Sequence, residues 1–143
     1  MATREQVLPA LDRFGREVVV GVRDSAISEY DNGIRRAPKA KPRPDAAMAV
    51  QQRDADAKII AGLPDELRDL IRRQVVDVVD NAIHHLLWRL SQEADFDQAS
   101  LVFDGIELFT AATETMAWEG LFWGPYAEDG WYARFSEFRE HGT

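Results

Sequence analysis

The feature that most constrains this chain is the segment from Pro64 to Gln92. Proline fits the first turn of a helix, and Asp65 and Glu66 suit a helix's positive end. Placed at 100° per residue, Val75, Val76, Val78, Val79, Ala82, Ile83, Leu86, Leu87 and Leu90 cover more than half the circumference. A stripe that wide predicts a central helix packed by neighbours on several sides. The polar remainder is a narrow band of Arg73, Asp77, Asp80, Asn81, His84 and Ser91. His85 falls at the edge of the apolar face and reads as a half-buried packing residue.

Two further helices precede it. Leu8, Leu11, Phe14, Val18, Val22, Ala26 and Tyr30 recur at helical steps, predicting a helix over roughly 8–34. Thr3 and Gln6 have the spacing of a capping box, but that start would put Pro9 inside the helix, so a start near Leu8 is preferred. "VVVGV" (18–22) reads alternatively as a strand; the longer helical period decides for helix. Residues 35–45 are a basic, proline-rich stretch, expected to be an extended loop or connector. Asp45 then caps a helix over about 46–61, closed by Gly62.

Beyond Gln92 the pattern changes. "SLVFDGIELF" (100–109) sets two short apolar runs around Asp-Gly, the strongest short-range hairpin signal; a helix interrupted by Gly105 is the alternative. The C-terminal stretch is rich in aromatics, and a short last helix is predicted from Trp131 to about Arg139. The length suits one domain over 1–143 with a real core. The expected fold is mainly α: a compact bundle of about three main helices, a short β-hairpin and an aromatic C-terminal helix.

Composition excludes several functions. The chain has no cysteine, which removes thiol chemistry, disulfides and cysteine zinc sites. The charged N-terminus lacks the apolar core of a secretory signal, and no apolar run approaches membrane-spanning length, so a cytoplasmic protein without membrane association is expected. The net charge of −8 is uneven: residues 95–143 carry two basic and ten acidic side chains. Such a surface repels nucleic acid and suits a basic protein partner.

Chemistry has few candidates. Asp77, Asp80 and His84 share one band of the long helix, a geometry open to a divalent metal if carboxylates of the first helix (Glu17, Asp24, Glu29 or Asp31) converge on it. The plainer reading is an exposed ladder of charge pairs, with Asp80 favouring protonated His84. Phosphate-loop, dinucleotide, nucleophile-elbow and HExxH motifs are all absent. Trp118, Trp123, Tyr126, Glu128, Asp129 and Trp131 mix aromatics with acids and read either as a cap on the helical core or as a partner-binding surface.

Three fragments, "VRDSAISEYD" (22–31), "VVDNAIHHLLWRL" (78–90) and "EDGWYARFSEF" (128–138), together resemble a group of small uncharacterised bacterial proteins. That group has an LHxLLW-like helix and an EDGWxxRFS-like tail. The resemblance brings no activity with it. The expected function is therefore an acidic interaction or regulatory protein, immunity- or inhibitor-like, binding a protein partner and needing no cofactor. The alternatives are a metal-binding protein or metal-dependent hydrolase centred on Asp77, Asp80 and His84, and a dimerising structural domain whose long helix is covered by a second copy.

Overall fold

The computed structural model describes residues 3–95, 101–108 and 130–138. The described chain is mainly helical. Helix α1 (Arg4–Arg16) passes into a π-helical segment (Glu17–Asp24) and on into α2 (Ser25–Arg36), closed by a 3₁₀ turn (Ala37–Lys39). Helix α3 spans Met48–Ala61 and α4 spans Asp65–Asp95. A two-stranded antiparallel hairpin, β1 (Val102–Phe103) and β2 (Ile106–Glu107), and α5 (Trp131–Phe135) complete it.

The first helix differs from expectation at its start. It begins at Arg4, and the Thr3 N–H donates to the Gln6 side chain at 3.0 Å. Pro9 lies inside the helix. It is tolerated because Pro9 and Glu5, whose carbonyl loses its donor, are both exposed to water.

The phase also differs. Val7, Ala10, Leu11, Val19, Arg23 and Ile27 are buried, whereas Leu8 and Val22 face solvent. Beyond Arg16 the cause is the π segment, whose i→i+5 bonding widens the turn and keeps residues four apart in line. That line runs from Val19 through Arg23 to Ile27.

The basic proline-rich stretch is shorter and less free than expected. Helix α2 runs to Arg36, and the exposed remainder is clipped to α3. Arg43 forms two hydrogen bonds with Asp54, at 2.8 and 2.6 Å, and Gln51 donates to the carbonyls of Pro44 and Ala46. Hydrogen bonding to Arg43 holds the Asp54 carboxyl below its ordinary pKa. Asp45 does not cap α3, whose N-cap is Ala47.

The hairpin forms as its sequence requires. Asp104 and Gly105 both take positive φ, 51° and 74°, the two-residue turn whose twist matches the strands. Val102 pairs with Glu107 and Phe103 with Ile106. The core lies where α1, the π segment, α4, the hairpin and α5 meet. Ala10, Leu11, Val19, Ile83, Leu87, Leu108, Trp131 and Tyr132 form it, with Phe14 packed edge-on to Phe103 and Trp131. Arg134–Asp12 and Arg13–Asp104 pair across its rim.

Gly15 lets the Trp131 ring lie directly on the backbone of α1; a Cβ there would fall within the indole. Gly15→Ala should therefore lose about 1–3 kcal/mol by urea unfolding. Gly33, in α2 with nothing near its missing Cβ, is the control: Gly33→Ala should gain about 0.4–1 kcal/mol.

Candidate functional site

The most elaborate polar arrangement is buried and centres on Arg23. Its guanidinium is fully buried. Nε donates to Asp80 Oδ1 at 2.6 Å and Nη2 to Asp80 Oδ2 at 3.3 Å. Nη1 donates to Ser136 Oγ at 2.9 Å and to the Phe138 carbonyl at 2.8 Å. The guanidinium plane also lies 4.2 Å from the centre of the Tyr132 ring. Burial alone would pull the arginine's pKa down. The hydrogen bond and charge of Asp80 outweigh that and hold it above its ordinary value.

Asp24 extends the network. It accepts from Ser136 Oγ at 2.6 Å and from the Glu137 backbone N–H at 3.0 Å. Ser136 Oγ accepts from Arg23 and from the Phe138 N–H while donating to Asp24, so its one donor and two acceptor sites are all used. An arginine does not release its proton, and the serine hydroxyl has no free proton-accepting site. The network is a clasp that joins the π segment, α4 and the C-terminal segment.

This placement decides how the long helix's polar band is read. Asp80 points inward to Arg23, whereas Asp77 and His84 are half-buried on the flank. Among the described residues, no group of three His, Asp or Glu side chains gathers that could hold a metal ion. The first-helix carboxylates turn elsewhere. Asp24 meets Ser136, Asp31 pairs with Arg72 at 2.9 Å, and Glu29 lies 3.5 Å from Arg53. The expectation that Asp80 favours protonated His84 fails, because that carboxylate serves Arg23. Burial, and then the neighbouring His85, push the His84 pKa down instead. His85 is exposed rather than packed, its ring edge-to-face with His84 at 5.6 Å.

Of the aromatic-acidic set, Trp118, Trp123, Tyr126, Glu128 and Asp129 lie outside the described residues. Trp131 is a correction to the partner-surface reading. It is 2% exposed, seated on Gly15 inside the core.

One open cleft of about 430 Å³ lies among α2, α3 and the start of α4, with Tyr30, Ile34 and Ile60 as floor and Arg35, Arg68 and Arg72 around it. Its arginines are engaged: Arg72 with Asp31, Arg68 with Asp65, Arg35 with Asn32. Ion pairs and hydrogen bonds already occupy the groups that would greet an anion.

The remaining feature is the outer side of α4. Its inner side buries Val76, Asp80, Ile83 and Leu87. The opposite side exposes Leu67, Leu70, Val78, Ala82, Leu86 and Trp88 to solvent, with Val78 at 67% and Leu86 at 61%. Among the described residues, the expected neighbours on several sides are therefore not what surrounds α4, which they cover on one side only. The periodicity did register this surface, but it read the whole apolar stripe, more than half the circumference, as core.

No protein-family model, no curated protein and no solved structure matches this chain.

Two outcomes are expected of this geometry. Asp80→Asn or Arg23→Met alone should cost about 3–5 kcal/mol, since each strands a buried partner, whereas the Arg23→Met/Asp80→Met double variant should lose less than either in urea titrations. The second concerns acid. With its pKa lowered by folding, His84 favours the native state above about pH 6.5, its unfolded value. That contribution is lost as pH falls from there through the folded value. Lowering pH from 7 to 5.5 should therefore reduce the melting temperature more in wild type than in His84→Gln.

Proposed function

We propose that this protein is a non-enzymatic interaction domain, a small regulator that docks another protein chain on the outer face of α4. One observation carries the reading: a long helix, apolar around more than half of its circumference, is covered by the described residues on one side only. Soluble monomers seldom leave a contiguous apolar strip open, and such strips mark interaction sites. The buried polar network supports the non-enzymatic part, because its groups are mutually satisfied. A metal centre at Asp77, Asp80 and His84 would first have to take Asp80 from Arg23. The net charge of −8 favours partners with a basic rim around an apolar ridge. An immunity- or inhibitor-like mode, in which occupancy of a target is the whole action, is the form we favour. A cytoplasmic setting belongs to the same proposal and accords with a cysteine-free chain. Among the described residues no helix is long and apolar enough to cross a membrane.

The test places a photo-crosslinking residue at Leu86 in living cells and identifies the adduct by mass spectrometry. Binding is then reconstituted with the purified adduct partner. Leu86→Asp should keep the fold, since the site is exposed, and weaken that binding at least tenfold, about 1.4 kcal/mol. Absence of any adduct from position 86, or binding indifferent to Leu86→Asp, would overturn the proposal.

A further inference from the structure

We infer that the basic arm after α2 and the cleft beside it form a docking site for a short acidic segment of another protein, with one apolar side chain of that segment seated in the cleft. The site shares no residue with the outer face of α4 and stands whether or not that face docks a partner.

Charge sets the kind of partner. From Arg35 to Pro44 five of ten residues are basic and none is acidic, in a chain whose net charge is −8. Arg35 bonds to neutral Asn32, and Arg43 pairs with Asp54. Arg36, Lys39 and Lys41 are exposed, and no described residue forms an ion pair or hydrogen bond with their side chains. Carboxylates are the complementary groups, and clustered cations are a recurrent means of recognising acidic motifs.

The arm is held in shape at both ends. Ala37 is buried in the 3₁₀ turn at one end. The Arg43–Asp54 pair and the two Gln51 hydrogen bonds fix the other end on α3. Lys41 and Arg43 each precede a proline, which favours extended backbone. A segment ordered in advance loses less conformational freedom when a partner arrives.

The cleft supplies the anchor. Pro38, between Arg36 and Lys39, is exposed on the arm and also lines the cleft of about 430 Å³. Tyr30, Ile34 and Ile60 line it as well and are only half-buried, so apolar surface there is open to a ligand. The volume falls in the range of roughly 300–1,000 Å³ usual for ligand clefts. Because the arginines around the cleft are engaged, it suits an uncharged side chain. The carboxylates on either side of that side chain then meet Arg36, Lys39 and Lys41. A nucleic acid fits less well. It has no aliphatic side chain for the cleft, and its phosphates would run past the arm onto an acidic protein.

The probe is a pentapeptide with leucine at its centre and glutamates on both sides, titrated at low salt into isotope-labelled protein and followed by backbone amide shifts. Saturable shifts are expected at Ile34, Lys39, Lys41 and Ile60. Lys39→Glu/Lys41→Glu should weaken binding roughly tenfold, because each new carboxylate faces the peptide's own. Arg16→Glu/Arg73→Glu, with the same net charge and also at exposed sites, should weaken it by no more than about twofold, since distant charges are screened. A peptide with serine in place of leucine should bind wild type roughly tenfold more weakly, having lost the burial of the leucine side chain. Leu86→Asp should bind the peptide as wild type does, which separates this site from the α4 face. Absence of saturable shifts, equal binding of the serine peptide, or binding indifferent to Lys39→Glu/Lys41→Glu would overturn the inference. Tighter binding of a single-stranded oligonucleotide at the same residues would overturn the assignment to an acidic protein segment.

Discussion

A guanidinium with no access to water holds this fold together. Arg23 could not be buried alone, since an unpaired charge in a protein interior costs several kcal/mol. Its partners are Asp80 on α4 and Ser136 and the Phe138 carbonyl at the far end of the chain. Segments separated by 57 and 113 residues must converge before the charge is compensated. The pair adds little stability over well-packed apolar residues. What it adds is selection, because any packing that leaves Arg23 short of Asp80 is strongly disfavoured.

That requirement orders the rest. Arg23 reaches the core because the π segment turns the first helix by the needed amount, placing Val19, Arg23 and Ile27 in line. Asp80 must face it, which fixes the rotation of α4 about its own axis. With Asp80 inward, Val76, Ile83 and Leu87 go in beside it, and Val78 and Leu86 are forced out. The open apolar strip is thus the other side of the ion pair's geometry. A helix with apolar residues over more than half its circumference and one obligatory buried aspartate has to present the remainder to something else.

The sequence made the local features legible and left the long-range ones dark. Asp104-Gly105 named its hairpin because two positive-φ residues in succession suit few other structures. Pro64 and the Asp65-Glu66 pair marked the start of α4 within a residue. The Arg23–Asp80 bond was invisible, since nothing near Arg23 in "VVVGVRD" signals a partner 57 residues away. The phase from Val19 on slipped because a π turn has no compositional mark that a 100° wheel detects. Trp131 read either as a core cap or as partner surface, and the place that Gly15 keeps for its ring decides for the core. His85 went to solvent because inward-facing Asp80 rotates it there. In each case the decisive contact lay far along the chain.

The most direct test of a one-sided α4 is hydroxyl-radical footprinting of the native protein over a range of concentrations. Ile83 and Leu87 should resist labelling throughout, because the clasp keeps them inside. Val78 and Leu86 should label strongly at every concentration of the isolated protein, because they lie on the open side of the helix. Protection of Val78 and Leu86, or labelling of all four alike, would contradict the account.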